Sequence, residues 1–321
     1  MKAAVVKTYG PPPTYAEFDT PNAEPGEVLV RMKASALSNL ARAAAEGRHY
    51  SSAKTLPIIP GVDGVGVDPE GRRVYVAFPR VPFGTMAEVC PIPKASCVPV
   101  PEGVSDALAA AIANPGMSSW AALHDRAHFQ RGESVLVNGA TGVSGGLAVR
   151  IAKHLGARRV IATGRDPAAL QQLLNSGADA VISLKQEEAA LTAAFHREFE
   201  DGGVDVVLDY LWGASAQALL NALPGHGSPR QGARLRYVQI GSISGETIPL
   251  KASTLRSSGL ELIGSGLGSV STARLLAGIG ELFQIITAAR LSVDFTERPL
   301  TEIESAWKGN TGGDRLVLTL A

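Results

Sequence analysis

The chain has 321 residues, 45 % of them hydrophobic and 19 % charged, with 30 basic and 30 acidic side chains. That length is ample for two domains with cores of their own, and a formal charge of zero argues against partners held mainly by charge, so neither nucleic acid nor a membrane surface is expected. The 35 glycines and 20 prolines imply many turns, which suits strand-rich or α/β architecture rather than a helical bundle.

From Met1 to Gly10 there is no long apolar signal core, and nowhere do 18 apolar residues run together; a soluble, cytoplasmic protein is expected. Residues 3–6 read as a short strand, the prolines Pro11, Pro12 and Pro13 as loop, and residues 15–19 as a second strand. After the Pro25-Gly26 turn, residues 28–34 alternate partly and predict a strand. The alanine-rich residues 39–46 predict a short helix. Residues 57–67, rich in glycine and valine, suit a barrel-like sheet with tight corners. Strands follow at 73–78, 84–89 and 96–99, then a helix over 106–112 capped by Ser105. This part lacks βαβ rhythm and reads as a separate, partly open barrel. Its two cysteines, Cys90 and Cys97, are too few for a disulfide framework or a four-ligand zinc site.

From about residue 117 to 280, strand and helix alternate, beginning with a helix over 118–126. Val135-Leu-Val-Asn138 is too short for an ordinary helix and reads as a buried parallel strand. Gly139, Gly142 and Gly145 follow at three-residue spacing, then the helical apolar stripe Leu147, Val149, Ile151, Ala152 and Leu155. Gly156 ends the helix and Val160 to Thr163 form the second strand. Strand, glycine turn, helix, strand is the order a dinucleotide needs: one glycine bends the chain, one admits the pyrophosphate, one lets helix and sheet pack, and the helix N-terminus offers free N–H groups. Aligned as GxGxxG, the turn is Ala140-Thr141-Gly142-Val143-Ser144-Gly145, with Ala140 in the first glycine's place.

The end of the second strand chooses the nucleotide. Where NAD sites place Asp or Glu, this chain has Gly164 and Arg165. A guanidinium there pairs with a 2′-phosphate and Gly164 leaves room for it, so NADPH is expected. Asp166 either faces the ribose or caps the helix that starts at Pro167. Helices over 167–175, 186–198 and 214–223 and strands over 180–182, 204–209, 234–240 and 260–264 continue the rhythm, and a long helix over 271–291 is interrupted near Gly278 and Gly280. The result is a Rossmann-type, doubly wound parallel sheet. The tail (strand 294–300, helix 302–307, strand 314–320) cannot bury a core alone and is expected to return to the first domain.

Val28-Leu-Val-Arg-Met-Lys-Ala-Ser, Leu56-Pro-Ile-Ile-Pro-Gly-Val-Asp-Gly-Val-Gly, the glycine turn with Ala152-Lys-His-Leu-Gly-Ala, the Gly177-Ala-Asp step and the late Gly241 together resemble the medium-chain dehydrogenase/reductase superfamily, and within it the zinc-free quinone oxidoreductases of the zeta-crystallin type. The resemblance spans nearly the whole chain. It implies a GroES-like, partly open β-barrel catalytic domain over residues 1–115, completed by 292–321, a Rossmann domain over 116–291, a cofactor in the cleft, and a homodimer through the edge strand around Leu260–Leu267. Zinc-dependent relatives carry a Cys after the third strand and a His-Glu pair; here those places hold Leu37 or Ser38, then Val62 and Asp63. Valine is no ligand, and the six histidines show no ligand spacing, so no metal is expected.

The same resemblance nominates site residues. Ser38-Asn39-Leu40-Ala41 stands where the family carries Asn-Pro-x-Asp, altered at both polar positions, with Asn39 in the polar role beside the nicotinamide. Tyr50 follows the short helix as a family tyrosine does and either lines the substrate cleft or packs as a core aromatic. Asn114 and Ser118 bridge the domains; Asp209 is expected near the ribose or adenine; Ile240, Gly241 and Ser242 follow the next strand; Asn310 and Arg315 lie in the tail, Arg315 replacing a family lysine. With Val143, Ser144 and Thr163 around the turn, these complete the expected site. The implied reaction is hydride transfer from NADPH to a quinone or α,β-unsaturated carbonyl, whose oxygen Tyr50, Asn39, Ser38 or a water would stabilise. The alternatives are an enoyl-thioester reductase, a zinc-free alcohol dehydrogenase, and a non-enzymatic NADPH-binding protein.

Overall fold

The computed structural model describes residues 1–48, 52–309 and 315–321. In chain order the elements are β1 (Lys2–Val5), β2 (Thr14–Glu17), β3 (Glu27–Leu37), α1 (Asn39–Ala45), β4 (Asp63–Val67), β5 (Arg73–Ala77), β6 (Val89–Pro93), β7 (Cys97–Pro99), α2 (Asp106–Ala121), β8 (Ser134–Asn138), α3 (Val143–His154), β9 (Arg159–Gly164), α4 (Pro167–Asn175), β10 (Ala180–Ser183), α5 (Glu188–Arg197), β11 (Val206–Asp209), α6 (Gly213–Asn221), β12 (Arg234–Gln239), α7 (Ala252–Ser257), β13 (Gly259–Gly264), α8 (Thr272–Ile285), β14 (Phe295–Pro299), α9 (Ile303–Lys308) and β15 (Arg315–Thr319). They form two compact units. One comprises Met1–Asn114, Leu276–Gln284 and Ser292–Ala321; the other comprises Pro115–Leu275 and Ile285–Leu291.

The first unit is built on β3, eleven residues long, which pairs antiparallel with β15, β4 and β6. A register shift between Met32 and Ala34 bends β3 so that its first half meets β6 and its second half meets β15. The sheet order is β14-β15-β3-β4-β5-β7, with β6 joined to β3 alone. That edge position explains why β6 tolerates Pro91 and Pro93, whose missing N–H groups would break an inner ladder. The sequence expects this strand at 84–89, five residues early, because those prolines argue against strand. One core joins Ala3, Val5, Ile58, Ile59, Met86, Ile303, Trp307 and Leu318. Arg42 closes it, its guanidinium carbon 5.2 Å from the Trp307 ring centroid and its Nη1 donating to the Trp307 carbonyl at 2.6 Å.

The second unit is a six-stranded, wholly parallel sheet in the order β10-β9-β8-β11-β12-β13. Its central strands are buried on both faces, as the unbroken apolar runs in β8 and β11 require. The order reverses between β8 and β11, where Asn138 lies opposite Asp209, so the switch point sits at the carboxyl ends of these two strands. Two expected breaks are absent. Helix α2 runs through Pro115, whose carbonyl accepts from Ser118 Oγ at 2.8 Å, and α8 is continuous past Gly278 and Gly280.

At the opposite end of the sheet Arg236, 2 % exposed, donates through Nη1 to the Ala127 carbonyl at 2.8 Å and through Nη2 to Glu133. Replacing it by Met should destabilise the protein by roughly 2 kcal/mol, below the range for a fully buried pair because Glu133 keeps access to water. Urea unfolding measures this, and a change under about 0.5 kcal/mol would show the ion pair to be dispensable.

Candidate active site

The glycine turn closes the end of β8. Gly139 has φ +92°, a conformation that disfavours any side chain, and a Cβ there would lie 2.8 Å from Leu211 Cγ. The work of the first glycine in the motif therefore falls to Gly139, one place before the aligned position; Ala140 is buried, and its N–H donates to the Thr163 carbonyl at 2.8 Å. Gly145 lets α3 sit directly on the turn, since a Cβ would meet the Gly139 carbonyl oxygen at 2.3 Å and Ala140 Cα at 2.6 Å. Gly142 is the residue before α3, and no side chain caps that end. The first amides of the helix, at Val143, Ser144 and Gly145, keep the partial positive charge of an unsatisfied N-terminus. Thr141 and Gly142 are exposed, so the end faces solvent. A diphosphate fits this cradle.

At the end of β9 one expected role changes hands. Gly164 is bare because Thr141 needs the space: a Cβ would lie 2.2 Å from Thr141 Cγ2. Arg165 is exposed and has no hydrogen-bond or ion-pair partner among the described residues. Asp166 caps α4, accepting from the Ala168 and Ala169 amides at 2.8 and 3.4 Å, so its carboxylate serves the helix rather than a ribose. Lys185, which the sequence does not single out, is exposed just beyond β10, next to Leu184, whose amide bonds the Gly164 carbonyl at 2.7 Å.

Asp209 is not a ribose ligand. Its carboxylate is fully buried and accepts from Asn138 Nδ2 (2.8 Å), the Leu211 amide (2.9 Å), the Trp212 amide (3.1 Å) and the Tyr237 hydroxyl (2.7 Å). Ile240 and Gly241 lie beside it, their amides on the Asp209 carbonyl at 2.8 and 3.1 Å. Ser242 Oγ is engaged by Glu246. Ser118 faces Pro115, while the neighbouring Ser119 bonds the Tyr210 hydroxyl at 2.8 Å and the Ser144 carbonyl at 3.2 Å. Burial pushes the Tyr210 phenol up to about 12. Asn138 and Tyr237 are the residues that sequence reading missed; neither stands in a motif, whereas Ser119 and Tyr210 fall within stretches the resemblance places at the cleft.

In the first unit a second polar cluster gathers on β4, β5 and β15. Asp63 is buried; its Oδ2 accepts from the Tyr75 hydroxyl at 3.0 Å, and its Oδ1 has no partner of good geometry. Its backbone carbonyl takes bonds from Ser35 and Thr85 at 3.2 and 2.8 Å. Arg315, expected at the nicotinamide, instead buries its Nε and Nη2 without hydrogen-bond partners, and its charge and that of Asp63 favour each other. Asn114, also expected at the cofactor, lies near enough to Asp63 to favour its ionised form. Ser38 Oγ caps α1, accepting from the Ala41 amide at 2.9 Å, and Asn39 is exposed at the start of that helix. Tyr50 and Asn310 lie outside the described residues.

A model of the zinc-binding dehydrogenase family matches residues 144–279. A probable NADPH-dependent quinone reductase of Emericella nidulans, tdiC, is 28 % identical over 99 % of both chains. The quinone oxidoreductase of Thermus thermophilus, whose structure was also solved with NADPH, is 29 % identical and superposes with a TM-score of 0.79 over the whole of both chains. The chain is similar to the quinone oxidoreductase family of medium-chain dehydrogenases/reductases. It is an oxidoreductase with that family's two-part fold, a Rossmann sheet and a GroES-like barrel, and a mycobacterial quinone oxidoreductase 23 % identical shares it at a TM-score of 0.85.

The family model takes its name from zinc, but the residues here do not fit that ion. Val62 has no donor atom, Asp63 is committed to Tyr75, and among the described residues no three His, Cys, Asp or Glu side chains gather as ligands.

Gly145→Ala forces backbone apart and should lower stability by about 1–3 kcal/mol, read as a fall in Tm. The buried carboxyl of the first unit has its own signature. Burial raises Asp63 to about 6, so between pH 4 and pH 6 the folded chain holds a proton that the unfolded chain has released. Stability supplied by the protonated form is therefore present below the lower value and lost as pH rises toward 6. Against Asp63→Asn, wild type should lose about 3 kcal/mol more between pH 4 and pH 7; parallel pH curves for the two proteins would place the titration elsewhere.

Proposed function

We propose that this chain reduces a quinone or another conjugated carbonyl with hydride from NADPH, and does so without a catalytic metal. The observation that carries the reading is the uncapped, solvent-facing α3 N-terminus behind the glycine turn, with Arg165 unpartnered among the described residues at the end of the next strand. The amides of Val143, Ser144 and Gly145 would hold the diphosphate, and Arg165, with Lys185 one strand over, the 2′-phosphate. The names of the Emericella and Thermus relatives, both quinone reductases and both linked to NADPH, support the same reading.

The nicotinamide supplies hydride when bound. The chain's own part is alignment and a hydrogen bond to the acceptor's oxygen as negative charge develops there. Ser38 accepts from the Ala41 amide and so keeps its own hydroxyl proton to donate. Asn39 is the second candidate donor and Tyr50 the third. A conjugated acceptor spreads the incoming charge over several atoms, which is why such a sparse donor set suffices and no Lewis acid is invoked. Two free thiols fit a reducing, cytoplasmic setting, and no helix among the described residues is long and apolar enough to cross a membrane. The open edge at β13 exposes Leu262 and, just beyond it, Leu267, which supports a homodimer joined there.

Oxidation of NADPH and NADH against a panel of quinones, alkenals and enoyl thioesters tests the reading. Arg165→Ala should raise KM for NADPH about ten- to a hundredfold, the size of a lost charge-assisted hydrogen bond, while KM for NADH stays within about twofold. A wild-type enzyme that prefers NADH would overturn the assignment of Arg165.

A further inference from the structure

Beneath the glycine turn runs an unbroken chain of buried polar groups. Tyr237, Asp209, Asn138 and Thr163 stand at or near the carboxyl ends of β12, β11, β8 and β9, and none of the four is exposed. The Tyr237 hydroxyl donates to Asp209 Oδ2 at 2.7 Å, Asn138 Nδ2 to Asp209 Oδ1 at 2.8 Å, Thr163 Oγ1 to Asn138 Oδ1 at 2.9 Å, and the Gly139 amide to Thr163 Oγ1 at 3.0 Å. The Gly139 amide can only donate, so Thr163 accepts from it, and the Thr163 hydroxyl donates in turn to Asn138 Oδ1. Asn138 then aims its NH2 group at Asp209 and at Ser215 Oγ, 2.9 Å away.

Asp209 ends the chain with four donors and no acceptor. A carboxylic acid would waste one of those positions on its own proton, so the arrangement suits the ionised form, although burial pushes its pKa upward and none of the four donors is cationic. The middle of a parallel sheet has no need of such a group, because apolar side chains would fill it without the cost of desolvating charge. What the carboxylate does supply is a common anchor for three loops. Through Asn138 and Thr163 it reaches Gly139. Directly it holds the amides of Leu211 and Trp212, where the chain turns with φ +58° at Trp212 and +61° at Gly213. A positive φ at a tryptophan is strained, and Asp209 offsets it. The loop so held presses Leu211 against Gly139 and accepts the Ser244 amide on the Leu211 carbonyl at 2.9 Å.

We propose that Asp209 is a positioning residue for the dinucleotide: through Thr163 and Leu211 it fixes the glycine turn in the shape that presents the α3 amides to a diphosphate. The inference rests on the nucleotide-binding reading above. It makes a specific demand. The diphosphate is common to NADPH and NADH, so loosening this chain must weaken both nucleotides by the same factor, whereas Arg165→Ala changes the ratio between them. The acceptor step is untouched, so kcat stays and KM moves.

The experiment measures Kd for NADPH and NADH by nucleotide fluorescence, and KM and kcat with a quinone acceptor, well below the Tm of each protein. Asp209→Asn keeps the shape and removes the charge on which the four donors converge. Thr163→Val keeps the shape and cuts the chain between Asn138 and Gly139; it decides the matter if Asp209→Asn does not fold. Expected is a rise of about tenfold in Kd and KM for both nucleotides, with kcat within about twofold of wild type, the size expected when one neutral hydrogen bond in the relay is lost. A lower Tm with both Kd values unchanged would overturn the proposal and make the chain a packing feature only. A wild-type protein that binds neither nucleotide would overturn the functional reading itself, and is thereby distinguished from failure of this inference alone.

Discussion

Helix α3 meets the end of β8 with no side chain between them, and the second unit is arranged around that contact. Bare backbone at Gly145 faces bare backbone at Gly139 and Ala140, so the helix starts close above the strand. Everything near the turn follows from keeping this approach tight. Gly164 yields its space to Thr141, Leu211 covers Gly139, and Thr163 satisfies the amides that the turn points inward. A dinucleotide site of this kind is made less by side chains that reach for the ligand than by side chains that were left out.

The first unit solves a different problem. Its sheet places Asp63, Tyr75 and Arg315 in the interior, where two opposite charges lie near each other without a direct hydrogen bond. Such an arrangement lowers stability, and burial raises the Asp63 carboxyl for the same reason, the cost of holding a charge away from water.

Much of this is legible in the residues, and what is not has a physical reason. The parallel sheet announces itself through Val135 to Asn138 and Val206 to Asp209, because a strand buried on both faces has to be apolar throughout. Asp166 is ambiguous from sequence alone, since a cap and a ribose ligand call for the same residue type; only the bonds to Ala168 and Ala169 separate the two. Gly164 reads as room for a phosphate, when its neighbour Thr141 in fact needs that room, a contact between loops that no local pattern encodes. Asp209 reads as a ligand residue because it follows a strand, and Arg315 because it stands where the family carries a lysine, but whether a side chain at such a position turns outward or inward depends on partners far away in sequence, here Tyr237 and Asp63. Pro91 and Pro93 mislead the strand boundary because local propensity carries no knowledge of which strands are edges.

The pairing of β15 with β3 bears on how the protein is made. Residues 316–319 form a ladder with residues 34–37, and β14 in turn rests on β15. During synthesis on the ribosome, β3 emerges early and must wait for almost the whole remainder of the chain before its neighbour on that side exists. The parallel sheet of the other unit is complete well before then. A nascent chain therefore carries one finished unit and one with an unpaired strand, and that open edge is where a chaperone or a misfolded contact would first find it.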